Sequence, residues 1–236
     1  MGGNTEKAAN SLNLRYERKF KIYSIPDIVE NIIMLHPVMF KRIYYPRYVN
    51  NIYFDDAGME SFYANEMGAF QRKKYRIRWY GDLFGDLQSP TLEIKRKFGN
   101  LGDKQSFKLK GFILNSKITK SKILDVINNS EIPEYVKLKL RCIEPSLMNR
   151  YKRKYFISND KRFRITIDSE ITYYRINIRK NNFIEKYSED SYTIIELKYD
   201  KNYDNDANSI TNSFPFRLSK NSKYVNGLGL IHSISI

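Results

Sequence analysis

Three short stretches of the chain pair cations at two-residue spacing: Arg76 with Arg78, Lys95 with Lys97, and Arg162 with Arg164. At that period the side chains share one face of a strand. Lys74 joins the first pair, while Tyr75, Ile77 and Trp79 take the opposite face. Like charges then stand about 7 Å apart, which is mildly unfavourable unless an anion lies between them. Carboxylates recur on the same faces: Glu17 beside Lys19, Glu93 beside Lys95 and Glu196 beside Lys198. Inside a phosphate site such a carboxylate serves mainly as a ligand of a hard divalent ion, Mg²⁺ or Mn²⁺, that bridges to phosphate oxygens. Elsewhere it is simply the ion pair of its lysine. Both readings stay open for Glu17 and Glu93. Glu196, with Ile195 and Leu197 on the opposite face, favours the metal.

Other chemistries lack their residues. There are two histidines, His36 and His232, and one cysteine, Cys142, so zinc sites, Cys-His pairs and Ser-His-Asp triads have too few members. No Gly-x-x-x-x-Gly-Lys-Ser/Thr loop occurs, and Gly99-Asn-Leu-Gly102 reads as a turn. The formal charge of +15 calls for an anionic partner: nucleic acid, a membrane surface or a phosphate-rich small molecule. Like charges repeated on strand faces, with no cluster on a helix or tail, weigh against nucleic acid. One cysteine allows no intrachain disulfide, which fits a cytoplasmic location. No apolar run reaches membrane-spanning length.

The elements that would position these faces are mostly strands. Period-two patterns run over residues 14–23, 43–55, 72–80, 90–98, 104–109, 148–158, 162–167, 172–179 and 192–199. Helical patterns follow Ser24, which is placed to cap a helix carrying Pro26 near its start, and recur at 121–128 and 133–142. A last helix fits 218–231, with Ser219 or Ser222 near its start. Residues 58–67 read as a short helix or turn, and 200–212 as a loop with a short helix. Residues 1–13 read as a disordered or vector-derived leader, and 14–236 as one domain without repeats. Strands with no βαβ alternation argue an α+β fold with a closed antiparallel β-barrel of about eight strands and helices packed outside. If the apolar faces pack outward on those helices, the charged faces line a lumen wide enough for one elongated ligand.

Several pieces, in order along the chain, resemble the VTC domain, the polyphosphate polymerase module of the triphosphate tunnel metalloenzyme superfamily. Arg15-Tyr-Glu-Arg-Lys19 resembles its opening Glu-x-Lys strand, and Arg76-Ile-Arg-Trp-Tyr-Gly81 its Arg-x-Arg-Trp-Tyr-Gly strand. Glu93-Ile-Lys95 with Lys104, Tyr151-Lys-Arg153 and Arg164-Ile-Thr-Ile-Asp168 are similar to the pieces that follow. Glu196-Leu-Lys198 resembles the late metal-binding Glu-x-Lys, and Ser222-Lys-Tyr-Val-Asn-Gly227 the closing Ser-Lys-Tyr helix. Lys154-Tyr-Phe156 departs from the smaller residues common there, and Lys220 competes with Lys223 for the last phosphate-binding role.

The resemblance implies a tunnel with a bound Mn²⁺ or Mg²⁺, transferring the γ-phosphoryl group of ATP to a growing inorganic polyphosphate chain. Lys19, Arg76, Arg78, Lys95, Lys104, Arg153, Arg164, Lys198 and Lys223 would grip phosphates; Glu196, with Glu17, would hold the metal. Two alternatives remain: a triphosphatase with water as acceptor in the same tunnel, and a non-catalytic binder of polyphosphate or nucleic acid. A helical phosphate-sensing domain and a membrane segment are not expected within this chain, which leaves association with a separate membrane protein open.

Overall fold

The structure is a computed structural model and describes residues 15–99 and 101–232. The expected leader lies outside them. Among the described residues the chain forms eleven strands, six α-helices and one 3-10 turn. The strands are β1 (Arg15–Ile22), β2 (Lys41–Asp55), β3 (Gln71–Tyr80), β4 (Gly85–Leu87), β5 (Thr91–Phe98), β6 (Leu101–Lys108), β7 (Phe112–Leu114), β8 (Glu144–Ile157), β9 (Phe163–Tyr174), β10 (Lys186–Glu189) and β11 (Thr193–Asp200). The helices are α1 (Pro26–Met34), α2 (Glu60–Glu66), α3 (Lys120–Asn128), α4 (Glu134–Arg141), α5 (Asp204–Ser213) and α6 (Lys223–His232).

Nine strands form one antiparallel sheet in the order β10-β9-β11-β1-β6-β5-β3-β2-β8. A further β8–β9 pairing brings the sheet back on itself, so hydrogen-bonded neighbours run round a ring of eight strands, with β10 added outside β9. The expected class, α+β on a large antiparallel sheet, is what forms. Register is long and regular at most seams, as along β1–β11 and β3–β5. Among the described residues the β1–β6 seam shows the pair Arg15 and Gly102.

Alternation decides which face is which. On the outer face of β2, β3 and β5, Ile52, Phe54, Tyr75, Ile77, Trp79, Leu92 and Ile94 pack with Ile123 and Ile127 of α3 and Val136 and Leu140 of α4. On the other side, Phe20, Phe156, Ile165, Ile167, Ile195 and Leu197 pack with Val29 and Ile33 of α1 and Ala207 and Ile210 of α5. Burying apolar side chains at about 25 cal/mol per Å² is what fixes each strand's register, because a one-residue slip would expose the whole set.

A third cluster lies on the opposite, inner faces. Val49, Leu147, Ile171, Tyr173 and Ile194 meet Tyr224, Val225, Leu228 and Ile231 of α6. The last helix therefore fills one end of the ring. Gly227 makes this approach feasible: a Cβ there would fall against the Tyr173 ring and 2.7 Å from Leu147 Cδ2.

Some local expectations need correction. Ser24 does not cap α1; Ile25 holds the N-cap position, no side chain bonds the first turn, and Pro26 opens the helix by its fixed φ. The stretches 162–167 and 172–179 are not two strands: 163–167 and 172–174 belong to one strand, β9, and 175–179 lie outside any strand. Strand β9 runs through a bulge at Glu170, whose φ is +52°, where Glu170 and Ile171 of β9 oppose Tyr151 of β8. The final helix begins at Lys223, and Ser222 accepts the Val225 N–H at 3.3 Å, as an N-cap does; Leu218 instead bridges to Phe20.

Candidate active site

Inside the ring lies a cavity of about 360 Å³. Alternate residues of successive strands reach it: Glu17 and Lys19 from β1, Lys74, Arg76 and Arg78 from β3, Lys95 from β5, Lys104 from β6, Arg153 from β8, and Glu196 and Lys198 from β11. The first residues of α6, Lys223 and Tyr224, complete the wall with Tyr53 and Tyr151. A second cavity of about 440 Å³ shares Glu17, Lys19, Lys74, Lys95 and Ser222 with the first and adds Arg72, Lys97 and Lys220.

Four carboxylates organise the cations. Glu93 accepts from Arg76 Nε at 2.8 Å and Lys104 Nζ at 2.7 Å, with Arg78 at 3.5 Å. Asp168 takes a two-pronged bond from Arg153, at 2.5 and 2.6 Å, and a third from Lys223 Nζ at 2.5 Å. Glu17 receives Lys95 Nζ on both oxygens at 2.8 Å. Glu196 lies 2.9 Å from Lys198, 3.3 Å from Lys19 and 3.7 Å from Arg153. Neutral groups aim the guanidinium of Arg78: Asn51 Oδ1 accepts from Nε at 2.9 Å and Tyr151 OH from Nη2 at 3.1 Å.

Burial would raise the pKa of every one of these carboxylates, yet all four stay low because their cations outweigh it. Lys198, Lys19 and Arg153 hold Glu196 far below the usual range. The cations do not all find such partners. Burial pushes Lys95 down to about 8 against the pull of Glu17. Lys74 falls further: burial, then Lys19, Lys95 and Lys97, all disfavour its charge. Its recorded contacts are a bond to Ser222 Oγ at 2.8 Å and the Tyr224 ring, with no carboxylate among the described residues.

A cavity walled by ten basic side chains and three acidic ones selects a polyanion. The VTC domain family profile matches residues 14–232. The chain belongs to the VTC domain family. Comparison with curated protein sequences finds no match. Among solved structures, this VTC domain is similar to a putative adenylate cyclase from Vibrio parahaemolyticus at 10% identity and a TM-score of 0.50, covering 89% of this chain and 97% of that one. It is also similar to a putative adenylyl cyclase from Hippeastrum, described as having a dominant triphosphatase activity, at 12% identity and a TM-score of 0.49, covering 94% and 97%. At 10% identity the likeness to the Vibrio protein concerns the fold.

Of the residues singled out in the sequence, the VTC domain brings Glu17, Lys19, Arg76, Arg78, Lys95, Lys104, Arg153, Glu196, Lys198 and Lys223 to one cavity. Arg164 is not among them. It shares the inner face of β9 with Thr166 and Asp168 but is exposed, beyond the cavity wall. Arg162 also stands apart, paired on the surface with Asp160 and Asp206. Lys223 takes the place in the main cavity, while Lys220 lines the second. Glu93 sits behind the wall as the shared partner of Arg76 and Lys104, so the ion-pair reading holds for it.

Asp168, Tyr151, Tyr53 and Asn51 were missed as candidate functional residues. Period two from Arg153 marks Tyr151, but a bond between a strand and a distant helix, such as Lys223 of α6 to Asp168 of β9, has no local signal. Glu17 and Glu196 fit a divalent cation: both line the cavity, ionised, with oxygen donors only. Thr166, paired in register with Glu196, adds a buried hydroxyl that bonds no other described group.

Proposed function

We propose that this VTC domain is a metal-dependent polyphosphate polymerase that transfers the γ-phosphoryl group of ATP to the end of an inorganic polyphosphate chain held in the ring. The observation that carries this reading is the pair of basic cavities inside the ring, which share Glu17, Lys19, Lys74, Lys95 and Ser222 in their walls and would leave room for phosphates on both sides of a reacting centre. The ring is thus read as a tunnel.

Phosphoryl transfer asks for in-line placement of two oxygens and neutralisation of equatorial charge more than for a covalent nucleophile. Arg76, Arg78, Arg153 and Lys223 supply planar and point-charge donors on one side of the cavity. Each is already oriented by Glu93, Asn51 or Asp168, so little reorganisation is needed when phosphate arrives. Lys19, Lys95 and Lys198 line the same cavity, paired with Glu196 and Glu17, and would exchange carboxylate oxygens for phosphate oxygens. Glu196 with Glu17 would hold Mn²⁺ or Mg²⁺, which supplies charge neutralisation and a template for phosphate oxygens. The acceptor would be the terminal phosphate of the chain.

Purified protein incubated with γ-labelled ATP and Mn²⁺, with products resolved by size, separates the readings. Long labelled polymer supports synthesis. Orthophosphate alone would make the same site a triphosphatase, and tight binding without turnover would make it a binding module.

A further inference from the structure

One cluster on the strands that carry the site has no role in gripping phosphate. Arg47 of β2 lies among three tyrosine rings, its Cζ 4.3 Å from the Tyr80 centroid, 5.0 Å from Tyr155 and 5.6 Å from Tyr44. Its Nε donates to Tyr155 OH at 3.2 Å, and the Tyr44 and Tyr155 rings meet edge to face at 5.5 Å. Arg47 meets no carboxylate among the described residues. Tyr44 is 59% exposed and Tyr80 49%, whereas Tyr75 and Trp79, one strand face away, are buried against α3 and α4.

Register places this cluster. Tyr80 stands two residues beyond Arg78 on the same face of β3, and Tyr155 two beyond Arg153 on β8. Arg47 is the cross-strand partner of Arg153, and Tyr44 of Tyr155. Between those pairs Tyr45 and Pro46 of β2 oppose Lys154 alone of β8, so a bulge containing Pro46 brings Tyr44 and Arg47 to one face despite their odd spacing. The rings therefore begin one strand repeat, about 7 Å, outward from Arg78 and Arg153.

We infer that Arg47, Tyr44, Tyr80 and Tyr155 form a stacking platform for the base of a nucleoside triphosphate whose phosphates lie on Arg78 and Arg153. This rests on the reading of the cavity as a phosphate-transfer site, and it assigns the nucleotide to the β2–β3–β8 mouth, opposite the end filled by α6. A planar base fits exposed rings backed by a guanidinium, since stacking and cation–π attraction both act through a ring face. Such contacts do not read base edges, so ATP and GTP should bind alike and pyrimidine nucleotides, with less ring area, more weakly.

The test compares ATP with inorganic tripolyphosphate by titration calorimetry on wild type, Tyr80→Ala, the Tyr44→Ala/Tyr80→Ala double variant, and Tyr80→Phe. The expected result is ATP affinity down roughly 10-fold in the alanine variants, tripolyphosphate unchanged, and ATP affinity restored by phenylalanine. Unchanged ATP affinity in both alanine variants would overturn the platform, as would an equal loss for both ligands. Loss confined to a single-stranded oligonucleotide, with ATP unaffected, would overturn it in favour of nucleic acid. Failure of wild type to bind either ligand would instead sink the phosphate-site reading beneath it.

Discussion

Arg76 and Glu196 carry the most weight at the scale of single residues, for opposite reasons. Arg76 is a half-buried cation whose charge is secured by Glu93 against the cost of desolvation; Glu196 is a carboxylate secured by three cations around it. Arg76→Ala and Glu196→Gln should each lower ATP-dependent polyphosphate formation by roughly 100-fold or more, the loss typical of one preorganised charge-stabilising group. Circular dichroism should stay native for Arg76→Ala, because Glu93 keeps Arg78 and Lys104. Wild-type turnover by both variants would remove them from the site. Lys74 makes a second prediction. Its pKa in the folded protein lies well below the 10.5 of an exposed lysine, so between that lowered value and 10.5 the unfolded chain holds protons that the fold lacks. Its contribution to stability therefore rises with pH towards 10.5. A phosphate chain beside it reverses the sign by favouring the charged form. Tripolyphosphate binding at pH about 8.5 should take up protons, seen as heats that depend on buffer ionisation, and Lys74→Met should reduce the uptake. Proton release on binding would contradict it.

Among the elements, α6 decides what the ring can contain. Its packing inside one end depends on Gly227, so Gly227→Ala should destabilise the fold by about 1–3 kcal/mol, measured by denaturant unfolding, through a clash with Tyr173 and Leu147. An unchanged midpoint would mean that α6 does not seat as described. Strand faces were readable from the sequence because alternation is local: Lys74, Arg76 and Arg78 against Tyr75, Ile77 and Trp79 needs one ten-residue window. What escaped depends on distant pairing. The bulge at Glu170 joins two expected strands into β9, and no propensity marks it. Strands β4 and β7, three residues each, and the four-residue β10 are too short to show a period. Arg164 illustrates the limit from the other side. Alternation puts it on the inner face of β9, but position along the strand, which alternation does not give, leaves it outside the cavity wall.

The whole molecule balances an excess of positive charge turned inward. In the absence of anion the cavity cations are only partly matched by Glu17, Glu93, Asp168 and Glu196, so ligand binding should stabilise the fold beyond what any one contact suggests. Tripolyphosphate at about 100 times its Kd should add about 2.7 kcal/mol and raise the melting temperature, with the gain shrinking as salt is added. A melting temperature indifferent to tripolyphosphate would argue that the cations serve the fold alone. The ring itself supplies the enclosure: outer apolar faces bind helices, α6 covers the apolar part of the inner faces, and the charged remainder of those faces lines the cavity. The most direct measurement is a crystal structure of the protein grown with tripolyphosphate and Mn²⁺. The expected density is a phosphate chain between Arg76, Arg78, Arg153 and Lys223, with an anomalous peak for manganese on Glu196. Phosphates bound only on outer surfaces, with the bore left to water, would contradict it.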